Sequence, residues 1–591
     1  MSMLRLLWCG FVEVCRALKT PQGMFTLLGM LLCLAFGVLY YWLSAWDLIG
    51  FTRDDAIYVV SSEALAKGDG FTLRHLAAMP AQVKYPIGYP LLLMPVWWII
   101  PEFPQNQWLL ALVTVVISTL GLALSFFYLL RVKKAPAWLA MLITALTACN
   151  FYWIYFASSL MAEGMYFFFS FLALIVLASK LEGVTPEQKI SAKSLALCIA
   201  VSVIPFHVRQ LGLSIVFAAT IYLLLKKRFK TAAIYFVICL GVTILPWMVW
   251  TTTQYAPTPT TFETILSYAP YMSEFVTNFS ESVYLQRLIE TLGSFVYRLQ
   301  EGMFNVIPNL FHAFSLQSLE KNPLIAWAHL IVSTLSAYCL LAFFILRLVT
   351  GVRECLRQPV DNDSFRFFRK FSGVSVSLWY LFVYLAVCIV WAYEDQMSRF
   401  LPMVFPLFWW YLFEPCIRSI TGKKKVGRNV ALILLLAALS LAPAYKTFHN
   451  LKFFRDNFWV ETAGHPIWED YLETINYIRA FLPEDAVIAA THEGVIYLYS
   501  GRKTYHLNPY AFQLKAKSEG FDRTMLDRMK HMRGLGVQYL LVEPSMKNRI
   551  LVADESPLER LTVEAFLPQM RLLLVSKHRY VKLYRILPEE N

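Results

Sequence analysis

The chain has 591 residues, of which 58% are hydrophobic and only 16% charged, with mean hydropathy +0.51. A soluble globular chain carries about 25% charged residues, so a soluble enzyme is excluded and a polytopic membrane protein is indicated. The net charge of +13 invites a nucleic-acid reading, which the placement of the basic residues removes.

The apolar residues fall in blocks of roughly 17–25, the length that crosses a bilayer core. The first, about 24–46, is too long for a signal-peptide core and lacks a small-residue cleavage site, so it reads as a retained signal anchor. Later blocks lie near 107–130, 136–154, 163–179, 192–206, 210–225, 231–250, 324–346, 372–392, 400–416 and 429–445. Together they predict about 11–13 transmembrane helices. The stretch YPIGYPLLLMPVWWIIP (85–101) is apolar but broken by Pro86, Pro90, Pro95 and Pro101. Its backbone could not satisfy itself as an isolated span, so an interfacial or re-entrant element is expected there.

Basic residues orient the chain. With Arg5, Arg16 and Lys19 inside, the inside loops become RVKK (131–134), 180–193, KKRFK (226–230), 347–370 and RSITGKKKVGR (418–428). Every dense Lys/Arg cluster between spans then falls on one side, as the positive-inside rule requires. The outside receives the loop 47–106, turns near 155–163, 207–209 and 393–399, the long loop 251–323, and the tail after about 446. All ten Cys lie in or near spans or on the inside, so neither a disulfide framework nor a Cys-based zinc site is indicated. The triplet NFS at 278–280 is a short pattern expected by chance, relevant only in a eukaryotic lumen.

From 446 to 591 the charges return and the apolar runs shorten. WEDYLETINYIRAFL (468–482) has helical period, burying Tyr471, Ile475, Ile478 and Phe481 or their neighbours. DAVIAA (485–490), GVIYLYSG (494–501), VQYLLVE (537–543), MRLLLVSKH (570–578) and YVKLYRIL (580–587) read as strands, with a helix over 521–534. The tail is therefore expected to be a small outer-face α/β domain, following a transmembrane domain over 1–445. It contains neither GxGxxG nor a P-loop. His492 and Glu493 read as a strand-end loop pair in preference to a catalytic pair.

A transporter places its polar residues at mid-membrane, beside broken helices. Here they gather at the outer ends of spans: Asp54 and Asp55 after the first span, Lys84 before the Pro-rich element, and Glu163 opening a span. His207 and Arg209 sit at an outer turn, and Glu394, Asp395 and Arg399 sit in WAYEDQMSRFLP. Carboxylates and fixed cations at one interfacial depth suit chemistry on a lipid phosphate whose tail stays in the bilayer. Each has a plainer reading. Asp54 can be the N-cap of a helix DAIYVVSSEALAKGDG ending at Gly68 or Gly70, and Glu163 can cap the span it begins. Arg209 and Arg399 can be snorkelling anchors, and Lys84 an ordinary loop lysine. Trp and Tyr near 97–98, 152–155, 247–255 and 408–411 read as aromatic belts.

RDDAIYVVSSEALAKGDGF followed by KYPIGYPLLLMP resembles the first outer loop of GT-C polytopic glycosyltransferases. The likeness is to the branch of protein O-mannosyltransferases, lipid A aminoarabinose transferases and bacterial envelope sugar transferases. MAEGMYFFF, HVRQLGL, SRFLPMVFPLF and YLYSGRKT resemble further motifs of that family. The resemblance implies a GT-C membrane fold with an outer α/β domain, a polyprenyl-phosphate sugar donor, and a glycan, lipid or protein acceptor at the outer face. It also implies a hexosyl- or pentosyltransferase of the bacterial inner membrane, with the tail in the periplasm. Mapped onto this sequence, Asp54 is the general base, and Asp55, where the family often has Glu, assists the acceptor or a divalent cation. Arg399, Arg209 and Lys84 hold the donor phosphate. Tyr85, Tyr89, Glu163, His207, Glu394 and Asp395 are the further substrate-site candidates. Phe400 for the usual Tyr and Ile87 for the usual Pro are mild departures.

The expected activity is thus inverting sugar transfer from a polyprenyl-phosphate donor, with membrane lipids as surroundings and no nucleic-acid partner. The alternatives left open are a lipid-linked sugar flippase and a membrane-anchored envelope-binding protein.

Overall fold

The computed structural model describes residues 21–44, 54–182, 188–254, 375–390, 399–421, 466–507, 530–542 and 570–587, with isolated positions at 49, 184 and between 286 and 294. The blocks near 324–346 and 429–445, most of the long outer loop, Glu394 and Asp395 lie outside the described residues.

Helix α1 (Pro21–Leu43) is followed by α2 (Asp54–Lys67) and α3 (Gly88–Ile99) of the first outer loop. At 12 residues and about 18 Å, α3 is too short to cross a membrane. This matches the expectation from its four prolines, although Pro95 sits inside the helix. Helix α4 (Gln107–Phe127) runs on through a π turn (Tyr128–Val132). The block expected as one straight span over 136–154 is instead two helices, α5 (Ala137–Ala148) and α6 (Phe151–Ser158), bent by 69°. The cause is Asn150, which is extended and accepts hydrogen bonds from the amides of Tyr152 and Trp153. A side chain in that role starts a new helix rather than continuing the old one.

Helix α7 (Glu163–Leu177) also ends in a π turn (Ala178–Glu182). It is followed by α8 (Ala192–Val208), a 3-10 turn (Gln210–Gly212), α9 (Leu213–Leu225), α10 (Phe229–Val242) and α11 (Ile244–Gln254). Then come α12 (Val376–Val390), a 3-10 turn (Leu401–Val404) and α13 (Phe405–Thr421). Among the described residues four helical stretches are long and apolar enough to cross a membrane, or five if the bent pair forms one span. They are Gly23–Leu43, Gln107–Val132, Glu163–Glu182 and Phe229–Gln254. The chain is a multi-pass, mainly helical membrane protein.

The tail holds α14 (Pro466–Phe481), β1 (Val487–Ala490), α15 (Glu493–Ser500), β2 (Lys503–His506), β3 (Val537–Val542), β4 (Met570–Val575) and β5 (Lys582–Ile586). Its sheet runs β2-β1-β3-β5-β4, with β1 parallel to both neighbours and the remaining pairs antiparallel. Residues 494–501, expected as a strand, are the helix α15 and its cap. Parallel neighbours β1 and β2 need a crossover connection, and the chain makes it there. Gly501, at φ 74°, supplies the left-handed residue that ends the helix. Trp468, Tyr471, Ile475 and Ile478 of α14 pack with Ile488, Ala490, Val495 and Ile496. Phe481, expected inside, is 71% exposed, and the neighbouring Leu482 is buried instead.

The tail sheet does not end at β2. Thr504 donates its amide to the His75 carbonyl (2.8 Å) and accepts from the Ala77 amide (2.9 Å). The first outer loop thereby covers the edge strand, which would otherwise offer unpaired backbone groups to any passing chain.

Candidate active site

Asp54 and Asp55 occupy the first turn of α2, where the helix dipole favours negative charge. Asp54 does not cap the helix with its side chain. Its Oδ1 accepts from the Tyr85 hydroxyl (2.7 Å) and its Oδ2 from Nη2 of Arg399 (2.8 Å). Asp55 is buried, and its Oδ1 accepts from the amide of Ala56 (2.8 Å). Asp54 thus meets groups from two other segments, while Asp55 also holds an amide of its own helix.

Aromatic packing holds the Tyr85 side of this contact. Tyr58, one helical turn beyond Asp54, packs at 5.2 Å against Tyr85 with its ring tilted and meets Tyr89 edge-on at 5.0 Å. Tyr89 is fully buried in α3 and shares a 2.6 Å hydrogen bond with Thr114 of α4. It therefore braces the site without touching Asp54. Lys84 immediately precedes Tyr85, is half-buried, and donates its amide to Gln82 Oε1 (2.9 Å).

Opposite them lies Glu163 at the start of α7, with no exposed surface. Its Oε1 accepts from Nε of Arg399 (3.2 Å) and from Nη1 of Arg209. Its Oε2 is buried with no hydrogen-bond partner among the described residues. Glu163 therefore does more than cap its own span, and the two arginines do more than snorkel. Arg209 sits in extended backbone at the end of α8, its guanidinium 5.3 Å from the Phe400 ring centre. That of Arg399 lies 5.7 Å from the ring of Phe156. Planar, weakly hydrated guanidinium groups tolerate such aromatic surroundings and can still fork between two acids. His207 is half-buried near the end of α8, its ring edge-on to Phe206 and its carbonyl against Gly88.

Burial by itself raises the pKa of the Asp54 carboxyl, but the charge and hydrogen bond of Arg399, the Tyr85 hydroxyl and the charge of Arg209 outweigh it. The group lies below the ordinary aspartate value and is an anion at neutral pH. Asp54 and Glu163 share a guanidinium, and among the described residues no group of three or more His, Cys, Asp or Glu is placed to hold a metal ion.

In the tail, His492 meets Tyr471 (3.2 Å) and Thr491 (3.3 Å). Glu493 instead faces Nδ1 of His506 (2.9 Å) and Nε2 of His75 (4.0 Å). Sequence reasoning did not single out Tyr58, Thr114 or Phe156. The i, i+4 spacing of Asp54 and Tyr58 is the one signal that places the latter beside the acid.

No protein-family model matches the chain, and no curated protein matches it in sequence. Its fold does match solved structures. An oligosaccharyltransferase from Archaeoglobus fulgidus, solved tethered to an acceptor peptide containing an NVT sequon, aligns at TM-score 0.50 with 10% identity. The alignment covers 88% of this chain and 69% of that one. ArnT from Cupriavidus metallidurans, bound to undecaprenyl phosphate, aligns at TM-score 0.48 with 13% identity over 97% of this chain and 100% of that one. The chain shares its overall fold with that oligosaccharyltransferase.

Proposed function

We propose that the chain is an inverting glycosyltransferase, moving a sugar from a polyprenyl-phosphate donor to an acceptor hydroxyl at the outer face of a bacterial inner membrane, with its tail domain in the periplasm. The observation that carries this reading is the convergence of Asp54, Tyr85, Glu163, Arg209 and Arg399 from five separate segments at one site. Every one was predicted on the outer side by the distribution of basic loops. Likeness to proteins solved with undecaprenyl phosphate or an acceptor peptide supports the fold, and the residues carry the chemistry.

Asp54 takes the proton from the acceptor hydroxyl as its oxygen bonds to the anomeric carbon. The bond from that carbon to the phosphate oxygen breaks, and its electron pair leaves with the lipid phosphate. Attack opposite the leaving group inverts the centre. Arg399 and Arg209 supply the fixed positive charge that the departing phosphate gains most from, and Lys84 adds a third cation at the loop. Arg399 also bonds to Asp54, so a phosphate that engages Arg399 weakens its hold on the carboxylate. Donor binding then strengthens the base, which is otherwise a weak one.

The test is Asp54→Asn in full-length protein reconstituted in nanodiscs, supplied with membranes from a host deleted for the chain as the source of donor and acceptor. Product and released polyprenyl phosphate are read by mass spectrometry. Loss of both with normal insertion is expected. Full activity would remove Asp54 as base, and unaltered lipid-linked sugar crossing liposomes with no product formed would identify a flippase instead.

A further inference from the structure

Helix α2, which carries Asp54 at its first position, is gripped along one face by a single helix of the tail domain. Gly494 of α15 lies against Ala56: a Cβ on Gly494 would stand 2.5 Å from the Cβ of Ala56, far inside the roughly 3.5–4.0 Å at which carbon atoms pack. Two turns along α2, Glu63 accepts at Oε2 from the Tyr497 hydroxyl (3.0 Å), which itself accepts from Nε of Arg74 (3.0 Å). Residues 56 and 63 share a face of α2, and 494 and 497 share a face of α15.

The junction is closed on both sides. Glu493, 5% exposed, lies between His506 of β2 and His75 of the outer loop, and that loop is hydrogen-bonded to β2 through Thr504. Arg399, the cation Asp54 meets, belongs to the membrane portion. The distance from Asp54 to Arg399 is therefore set by elements anchored on different parts of the molecule.

We propose that α15 is a positioning element for the transfer reaction: through Gly494 on Ala56 and Tyr497 on Glu63 it sets where α2 sits, and so where the Asp54 carboxylate meets acceptor and Arg399. Gly494 and Tyr497 are positioning residues, touching no substrate. This inference rests on Asp54 as the base.

The experiment uses full-length Gly494→Ala, Ala56→Gly and the double variant in nanodiscs, titrated with membranes from the deleted host. Gly494→Ala is expected to lower apparent kcat by about 10–100-fold, the range set by displacements of about an ångström, with apparent KM within about twofold. The acid limb of its pH–rate profile moves to higher pH as Asp54 leaves Arg399. Ala56→Gly alone stays active, and the double variant recovers rate and profile because the colliding methyl is gone. Parental kinetics in Gly494→Ala, or a loss that Ala56→Gly does not repair, overturns the inference. If Gly494→Ala does not fold, Tyr497→Phe adds no volume and takes its place, and parental rate and profile there overturn it equally. An inactive Asp54→Asn beside a fully active Gly494→Ala removes only the positioning role, whereas an active Asp54→Asn removes the base itself.

Discussion

Nη2 of Arg399 lies 2.8 Å from Oδ2 of Asp54, although 345 positions separate the two in sequence. The same guanidinium turns its Nε to Glu163, so one cation links the first outer loop, the seventh helix and the segment before α13. The arrangement neutralises two carboxylates in a largely buried site, yet it leaves Asp54 on the edge, 18% exposed, while Glu163 is sealed. The exposed member of the pair is the one available to an acceptor.

Asp54→Asn is predicted to lower transfer by at least about 100-fold, the lower end of what a general base contributes. The side chain keeps its shape and its hydrogen bond with Tyr85, so insertion should persist, while loss of the charge paired with Arg399 should lower the melting temperature. Turnover in nanodiscs beside a melting curve checks both halves.

The pH dependence has a defined sign. The Asp54 carboxyl is held below the ordinary aspartate value by Arg399, Tyr85 and Arg209 against the opposing effect of burial. A depressed carboxylate contributes stability and activity above its unfolded pKa and loses both as pH falls through the folded one. The acid limb of kcat/KM assigned to Asp54 should therefore lie below the ordinary aspartate value. In Arg399→Gln it should move up toward that value, and a pH–rate series on the two proteins reads the difference. An unmoved limb would show that Arg399 does not tune this group.

Glu163→Gln removes the charge that two arginines share. Breaking a buried ion pair by deleting one partner costs about 3–5 kcal/mol, so the variant should melt well below the parent, whereas Glu163→Asp should recover part of the loss. Thermal unfolding by intrinsic fluorescence decides it. A variant as stable as the parent would mean the two arginines find other anions.

His75 gives the tail junction its own titration. Burial and the nearby charges of His506 and Lys503 outweigh the attraction of Glu493 and bring it down from 6.5 to about 4. A histidine depressed in the folded state stays neutral while the unfolded chain charges, so its contribution is complete above pH 6.5 and is lost as pH falls toward 4. The size of the effect is of order 3 kcal/mol. Amide exchange at 74–77 and 503–506 should rise on acidification across that window, and His75→Gln should flatten the rise.

Much of this was legible in the residues, and the misses have physical causes. Asp54, Arg209 and Arg399 stood out because charge at a span end is conspicuous against an apolar background, and their side followed from the basic loops. Asn150 and α15 were misread because local pattern favours a continuing span and a strand. A side-chain cap within an apolar run and a parallel crossover override that pattern only once the neighbours are in place. Phe481 and Leu482 show the same limit at one residue: α14 ends at Phe481, and the residue just past that end is the one covered.

By itself the sequence determined what local length and charge can express: apolar blocks long enough to cross a bilayer, an expected side for each loop, and acids and arginines gathered at the ends of those blocks. Hydrophobic length and the sign of a loop are properties of contiguous residues, so no folded structure is needed to read them. Tertiary structure alone decided which acid meets which cation, with Asp54 facing Arg399, and that α15 seats on Ala56. Those are contacts between segments hundreds of residues apart. Their geometry comes from how helices pack rather than from any stretch of chain.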